Sequence, residues 1–141
     1  MTERVIRGSC LCGAVAYEVA AVFDEIHHCH CAHCRKSHGA AHSTYAAARR
    51  SSFRFTRGAD RVRRYRSSPP CERSFCGECG SNLEFLFEGA PDSVWIAMGT
   101  LDDEPGARPQ MHIFTASRAT WHEITDDLPQ HEAYPAAPEA G

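Results

Sequence analysis

The segment Cys29-His30-Cys31-Ala32-His33-Cys34 places three cysteines within six residues, a spacing that indicates a metal site more readily than a disulfide. Side chains alternate between the two faces of an extended strand, so Cys29 and Cys31 are predicted on one face and His30 on the other. A turn after Cys31 would bring Cys34 back toward them. A zinc ion bound by these three thiolates would keep its fourth coordination position open, whereas a structural zinc site normally has four protein ligands.

Four further cysteines form two pairs. Cys10 and Cys12 lie near the N-terminus, and Cys76 and Cys79 lie in Phe75-Cys76-Gly77-Glu78-Cys79-Gly80, a pattern typical of a zinc knuckle. Two pairs complete one tetrahedron, so we predict that these four cysteines hold a structural zinc ion that links distant parts of the chain. A redox dithiol is the alternative interpretation, although a C-x-C pair makes a poor disulfide.

The triplet has an alternative interpretation as a second structural zinc site, closed by a fourth protein ligand. Cys71 or a nearby histidine could supply that ligand. Six of the nine histidines lie in residues 27–42, a density compatible with metal ligation, proton transfer or coincidence. On the strand interpretation His28 and His30 face away from the triplet, whereas His33 lies inside the metal loop.

The length of 141 residues indicates one domain with its own core. The N-terminus lacks the apolar region of a signal peptide, and the chain has no run of about 20 apolar residues that could cross a bilayer. We therefore expect a cytoplasmic protein without a membrane partner, in which eight reduced cysteines serve as metal ligands more readily than as disulfides. Residues 1–128 are predicted to form the domain and residues 129–141, rich in Pro, Ala and Glu, a C-terminal tail.

Positive charge is concentrated in residues 49–73, where nine arginines face only Asp60 and Glu72. These arginines are either the solvated faces of a strand pair or a surface that binds carboxylates or phosphates. The formal net charge of −3 argues against non-specific nucleic-acid binding as the main activity.

The hydrophobic pattern predicts a mainly β chain, because no helix-length repeat occurs. One helical turn is expected at residues 32–38, ended by Gly39, and residues 52–55 and 61–65 are expected to form a hairpin. Residues 121–124 are expected to pack against the core. The predicted strands cover residues 8–19, 26–31, 52–55, 61–65, 83–87, 94–98 and 111–115.

Several motifs in this order resemble one known family. They are Gly8-Ser9-Cys10-Leu11-Cys12-Gly13-Ala14-Val15, Cys29-His30-Cys31-Ala32-His33-Cys34-Arg35, Phe53-Arg54-Phe55-Thr56-Arg57-Gly58, Tyr65-Arg66-Ser67-Ser68-Pro69, Phe75-Cys76-Gly77-Glu78-Cys79-Gly80-Ser81 and His112-Ile113-Phe114. They are similar to those of the glutathione-dependent formaldehyde-activating enzyme family, which shares its domain with centromere protein V. The resemblance covers about residues 8–128.

The resemblance implies a β-tent fold, in which sheets meet over zinc sites, and carbon–sulfur lyase activity on a thiol adduct such as S-hydroxymethylglutathione. It also implies two zinc ions in each chain. By resemblance Cys10, Cys12, Cys76 and Cys79 hold the structural ion. By the same resemblance Cys29, Cys31 and Cys34 hold the catalytic ion.

Three functions are compatible with these observations. The first is an enzyme that joins a small-molecule thiol such as glutathione to a small aldehyde, with arginines from residues 35–73 available for the carboxylates of glutathione. The second is a zinc-stabilised binding module without turnover, on the analogy of centromere protein V. The third is a redox or metal sensor in which Cys71 is the additional thiol.

Overall fold

The computed structural model describes residues 4–135, and these residues form two β-sheets and one short α-helix. The prediction of a mainly β, single-domain chain is confirmed. The strands, in chain order, are β1 (Val5–Ser9), β2 (Ala16–Ala20), β3 (Glu25–Cys29), β4 (Ser43–Arg49), β5 (Arg54–Arg57), β6 (Val62–Ser68), β7 (Cys71–Cys76), β8 (Asn82–Phe87), β9 (Ser93–Ala97) and β10 (Met111–Ile113). The helix α1 is Ala32–His38, and single 3-10 turns occupy Arg50–Ser52, Ala59–Arg61, Met98–Thr100 and Thr115–Ser117.

The smaller sheet has the order β1-β2-β5, and both of its strand pairs are antiparallel. The larger sheet has the order β10-β3-β4-β9-β8-β7-β6, and only the β10–β3 pair is parallel. In the middle of this sheet β4 and β9 contribute small and β-branched side chains that are fully buried, including Ala46, Ala48, Val94 and Ile96. β9 is therefore a central strand, as predicted for the apolar run at residues 94–98, except that Met98 already belongs to the following 3-10 turn.

The N-terminal segment differs from the prediction of one strand over residues 8–19. A hairpin occupies this part of the chain, with β1 and β2 on either side of a tight turn that contains Cys10 and Cys12. The turn forms because Cys10 N–H donates to Val15 O at 3.0 Å, and Gly13 adopts a φ of 80° that favours glycine. The predicted alternation is confirmed in β2, where Tyr17 and Val19 are fully buried.

The predicted hairpin between residues 52–55 and 61–65 is wrong. β5 pairs with β2 in the smaller sheet, whereas β6 pairs with β7 in the larger sheet. Gly58 directs the chain from one sheet to the other with a φ of 71°, and its α-carbon packs against the backbone of Ala14. The two short strands therefore link the sheets.

Two other expectations concern the end of the chain. Of residues 121–124, which were predicted to pack against the core, Trp121 is 72% exposed and Glu123 is exposed, whereas His122 and Ile124 are partly buried. The prediction is wrong for Trp121, and the small side chain of Ala119 is buried nearby in the chain. Residues 129–135 follow the edge of the larger sheet, where His131 N–H donates to His112 O at 2.9 Å and Tyr134 OH donates to Glu25 Oε2 at 2.6 Å. The domain boundary at residue 128 stays a prediction, and residues 136–141 of the proposed tail lie outside the described residues.

Within residues 4–135, the structure contains no helix with the length and apolar character needed to span a bilayer.

Candidate metal centres

The first candidate centre joins the two sheets through four cysteines. Cys10 and Cys12 come from the β1–β2 turn, and Cys76 and Cys79 come from the β7–β8 turn. The Sγ atoms of Cys10 and Cys12 are 3.7 Å apart, those of Cys12 and Cys76 are 3.9 Å apart, and all four lie within 4.8 Å of one another. Four sulfurs at ~2.3 Å from a tetrahedral zinc ion are separated by ~3.8 Å, so the donor set fits this metal.

Hydrogen-bond donors surround these sulfurs. Val15 N–H donates to Cys10 Sγ at 3.3 Å, and Glu78 N–H donates to Cys76 Sγ at 3.4 Å. The Ser81 hydroxyl lies 3.3 Å from Cys79 Sγ and accepts a hydrogen bond from Leu11 N–H, so this residue connects the two turns. The hydrogen bond from Ser81 is the largest cause that lowers the pKa of Cys79, to about 5. Donors around a sulfur stabilise the thiolate form that binds a metal.

The second candidate centre is the triplet of Cys29, Cys31 and Cys34, whose sulfurs also lie within 4.8 Å of one another. Cys29 ends β3, Cys31 is the N-cap of α1, and Cys34 occupies the first turn of that helix. Cys31 Sγ accepts the N–H of Cys34 at 3.3 Å, so a single sulfur both caps the helix and faces the other two. Hydrogen bonds from Cys29 and then Cys34 lower the pKa of Cys31. The helix ends at Gly39 with a φ of 61°, as predicted.

The three sulfurs of the triplet converge for a different reason from the predicted one, which placed Cys29 and Cys31 on one face of a single strand. Cys31 does not continue the strand beside Cys29, because β3 ends at Cys29 and the chain turns directly into α1. The three sulfurs converge through the strand end and the helix N-terminus, and not through alternation along one strand. Cys29 and Cys34 are buried, whereas Cys31 is partly exposed, so solvent reaches the cluster on the side of Cys31.

Among residues 4–135, no fourth cysteine, histidine or carboxylate places a ligand atom within 4.8 Å of all three sulfurs of the triplet. Cys71 begins β7 and joins neither cluster. His33 has an exposed side chain and is not part of the cluster, although its place in the metal loop had favoured it. The residues present therefore offer three protein ligands and one remaining coordination position to a tetrahedral metal.

A buried arginine that sequence reasoning had not singled out lies against the triplet. Arg73 in β7 is 6% exposed, and its Nη2 donates to Cys34 Sγ at 3.6 Å. Its Nη1 donates to Tyr45 OH at 3.2 Å, and the same hydroxyl lies 3.0 Å from His38 Nε2. The guanidinium also lies 5.0 Å from the centre of the Phe85 ring. One face of the triplet is thus closed by a cation and two aromatic rings.

A chain of histidine hydrogen bonds also holds the metal loop. His30 is fully buried, and its Nε2 lies 2.8 Å from His112 Nδ1, while His112 Nε2 lies 2.9 Å from Asp126 Oδ2. A carboxylate accepts hydrogen bonds, so we assign a proton to His112 Nε2, and His112 Nδ1 then accepts from His30 Nε2. Burial lowers the pKa of His30 to about 4. Because His30 stands between Cys29 and Cys31, this chain of hydrogen bonds fixes the backbone of the triplet.

Four of the nine arginines in residues 49–73 form ion pairs with acidic side chains. Arg61 contacts Glu78 at 3.0 Å, Arg64 contacts Glu84 at 3.3 Å, and Arg66 contacts Glu88 at 3.2 Å. Arg54 forms a further pair with Glu18, and Arg57 donates twice to the carbonyl of Gly13. The observations favour solvated, ion-paired strand faces over a continuous surface for nucleic acid.

Comparison with known proteins assigns this geometry to a family. The sequence profile described as glutathione-dependent formaldehyde-activating enzyme matches residues 5–117. The chain belongs to this family. The match includes all seven cysteines of the two clusters and both turns that carry the four-cysteine site.

Individual proteins agree with the family assignment. A Halomonas elongata protein, provisionally named a glutathione-dependent formaldehyde-activating enzyme, is 27% identical over 85% of this chain and 81% of the relative. A Schizosaccharomyces pombe protein named an uncharacterized lyase is 27% identical over 70% of this chain and 80% of the relative. The crystal structure of a Rhodobacter sphaeroides protein from a structural genomics programme is 28% identical, with a TM-score of 0.61 over 74% of this chain and 92% of that one. Family membership and these names support carbon–sulfur lyase activity for the chain.

Proposed function

We propose that the chain is a zinc-dependent carbon–sulfur lyase that forms or cleaves S-hydroxymethylglutathione. The observation that carries this proposal is the triplet of Cys29, Cys31 and Cys34, which has three converging sulfurs, a partly exposed side and no fourth protein ligand among the described residues. Membership of the formaldehyde-activating enzyme family supports glutathione and formaldehyde as the reactants.

In the proposed reaction the sulfur of glutathione forms a bond to the carbon of formaldehyde. The carbonyl oxygen takes a proton, the thiol loses one, and the product is a hydroxymethyl thioether; the reverse reaction breaks the same carbon–sulfur bond. A zinc ion at the triplet would supply an open position that takes a thiolate or polarises a carbonyl oxygen. Three cysteine thiolates would give the zinc centre a formal charge of −1, which weakens its Lewis acidity, so the handling of a thiolate is favoured over the activation of a carbonyl group.

The two clusters have different roles in this proposal. Cys10, Cys12, Cys76 and Cys79 hold a structural zinc ion, because four ligands close its coordination sphere and connect the two sheets. Cys29, Cys31 and Cys34 hold the catalytic ion. The cytoplasmic location predicted from the sequence belongs to the same proposal, since all eight cysteines are free thiols in the structure and a reducing compartment maintains them as ligands.

The test is the rate of S-hydroxymethylglutathione formation by the zinc-loaded protein, measured by NMR exchange between free and bound formaldehyde. Wild-type protein is expected to raise the rate above the uncatalysed reaction, and Cys31→Ser is expected to abolish the increase. Serine is a good N-cap, so this substitution removes one sulfur while the start of α1 is retained. Cys71→Ser is the matched control and should leave the rate unchanged. An uncatalysed rate with the wild-type, two-zinc protein would overturn the proposal.

A further inference from the structure

Arg73 is a buried cation without a carboxylate partner among the described residues. Its guanidinium donates to Ser67 Oγ at 3.1 Å, Tyr45 OH at 3.2 Å and Cys34 Sγ at 3.6 Å. The two hydroxyls are neutral, so only the cysteine sulfur of these three partners can carry a negative charge. Burying an unpaired charge is costly, and a guanidinium that is 6% exposed needs a nearby anion.

The charge of the triplet supplies this anion. With one divalent ion bound, the three thiolates would give the triplet a formal charge of −1, and Arg73 would bring the sum to zero. The exposed arginines of the neighbouring strand β6, such as Arg64 and Arg66, pair with glutamates. Arg73 therefore differs from its neighbours in both burial and partner: it lies opposite Phe85 in the β7–β8 pair and contacts Cys34 of α1.

The position of Arg73 also affects the fourth ligand. The hydrogen bond from Arg73 to Cys34 Sγ draws electron density from that sulfur. The positive charge of Arg73 also lowers the electrostatic cost of adding an anionic fourth ligand to a centre that already has three thiolates. A thiolate that bound there would change the total charge of the centre from zero to −1 in the presence of Arg73. Without Arg73 the same step would change the charge from −1 to −2.

We propose that Arg73 is a positioning residue that makes the open coordination position of the triplet selective for an anionic ligand, a thiolate in preference to a neutral donor. This inference rests on the proposed function, since it concerns the same centre. Arg73 lies outside the cysteine motifs, and it affects both how tightly the triplet holds its metal and which class of ligand binds there.

The test uses the full chain loaded with two equivalents of cobalt(II), whose visible and near-ultraviolet bands report its sulfur ligands. The spectrum of Cys31→Ser is subtracted to isolate the contribution of the triplet. Glutathione and imidazole are then titrated as an anionic and a neutral ligand into wild type, Arg73→Gln, Arg73→Met and Arg73→Lys. Arg49→Met is the matched control, because Arg49 is an exposed arginine at the opposite end of β4 from Ser43, which pairs with Cys29.

In Arg73→Gln and Arg73→Met, the glutathione concentration at half-maximal spectral change should rise at least about tenfold. This is the effect typical of losing a hydrogen-bond partner of a metal ligand. The imidazole midpoint should change less, and a chelator should remove the triplet metal more readily than in wild type. Arg73→Lys restores the charge and should return the glutathione midpoint to within about threefold. Arg49→Met should match wild type.

A variant counts as folded when it keeps the metal of the four-cysteine site and unfolds cooperatively on heating. Only folded variants among Arg73→Gln and Arg73→Met are compared with wild type. If the folded Arg73 variants bind glutathione and lose metal to the chelator at the same concentrations as Arg49→Met, the proposed role of Arg73 is wrong. A wild-type protein that binds cobalt at the triplet but shows no spectral change with glutathione would instead contradict the proposed function. The two failures are therefore distinguishable.

Discussion

Cys12 Sγ lies 3.9 Å from Cys76 Sγ, although 64 residues separate the two cysteines in the chain. This contact connects the turn of the smaller sheet to a turn of the larger sheet. A metal held there contributes its binding free energy to folding, because the unfolded chain does not preform the site. The triplet has no comparable role, since its cysteines lie within one short segment.

The two clusters should therefore differ in their effect on stability. Cys79→Ser is expected to lower the free energy of unfolding by at least about 4 kcal/mol, because it opens the site that joins the sheets. Cys31→Ser should cost less than about half as much, since serine keeps the N-cap of α1. Urea denaturation of the zinc-loaded proteins measures both values. Equal losses would show that the triplet is also a structural site.

Gly58 should be the least replaceable of the turn glycines. An added Cβ would approach within 1.9 Å of Ala14 O, and the residue already has a φ of 71°. Gly58→Ala is expected to cost ~1–2 kcal/mol for the left-handed backbone and a further ~1–3 kcal/mol for the steric clash.

Gly39→Ala is the matched control for this prediction. Gly39 has a similar φ of 61°, but an added Cβ there has no other atom within 4 Å. It should show the backbone cost alone in the same urea denaturation experiment. Equal losses for the two alanine variants would contradict the close approach of Gly58 to the turn that carries Cys10 and Cys12.

The stability should fall as the pH decreases below neutrality. Burial lowers the pKa of His38 to about 4, below its ordinary value near 6.5. Between these values the unfolded chain binds a proton that the folded chain does not, so the stabilisation by neutral His38 is present above pH 6.5 and is lost toward pH 4. For this partly exposed side chain we expect a loss of about 1 kcal/mol between pH 7 and pH 5.5.

His38→Gln tests the origin of this pH dependence. Glutamine can still contact Tyr45 OH but does not titrate, so its unfolding free energy should vary less with pH than that of wild type. Metal content is measured at both pH values, so that loss of zinc is separated from protonation of histidine. A variant with the full wild-type pH dependence would exclude His38 as a contributor.

The cysteine clusters could be predicted because ligand spacing is encoded locally. Two turns and one strand end place all seven sulfurs, and each segment carries its own glycines or cap. The β5–β6 hairpin was predicted wrongly because short alternating segments do not encode the partner strand with which each one pairs. That partner is determined by the packing of Phe55 and Tyr17 with the rest of the core.

Arg73 could not be found from the sequence for a related reason. It is one of nine arginines in residues 49–73, and nothing local distinguishes it from Arg64 or Arg66. Its burial depends on the placement of α1 over the larger sheet, where Ser37 contacts Asn82 of β8. His112 is a similar case, since only the parallel pairing of β10 with β3 brings it to the segment of the triplet.

Zinc stoichiometry of the purified protein and of Cys31→Ser tests the central claim most directly. We expect two zinc ions in wild type, and one in a Cys31→Ser protein that still melts cooperatively. Two tightly held ions in Cys31→Ser, or one ion in the zinc-saturated wild type, would contradict the assignment of an open metal site to Cys29, Cys31 and Cys34.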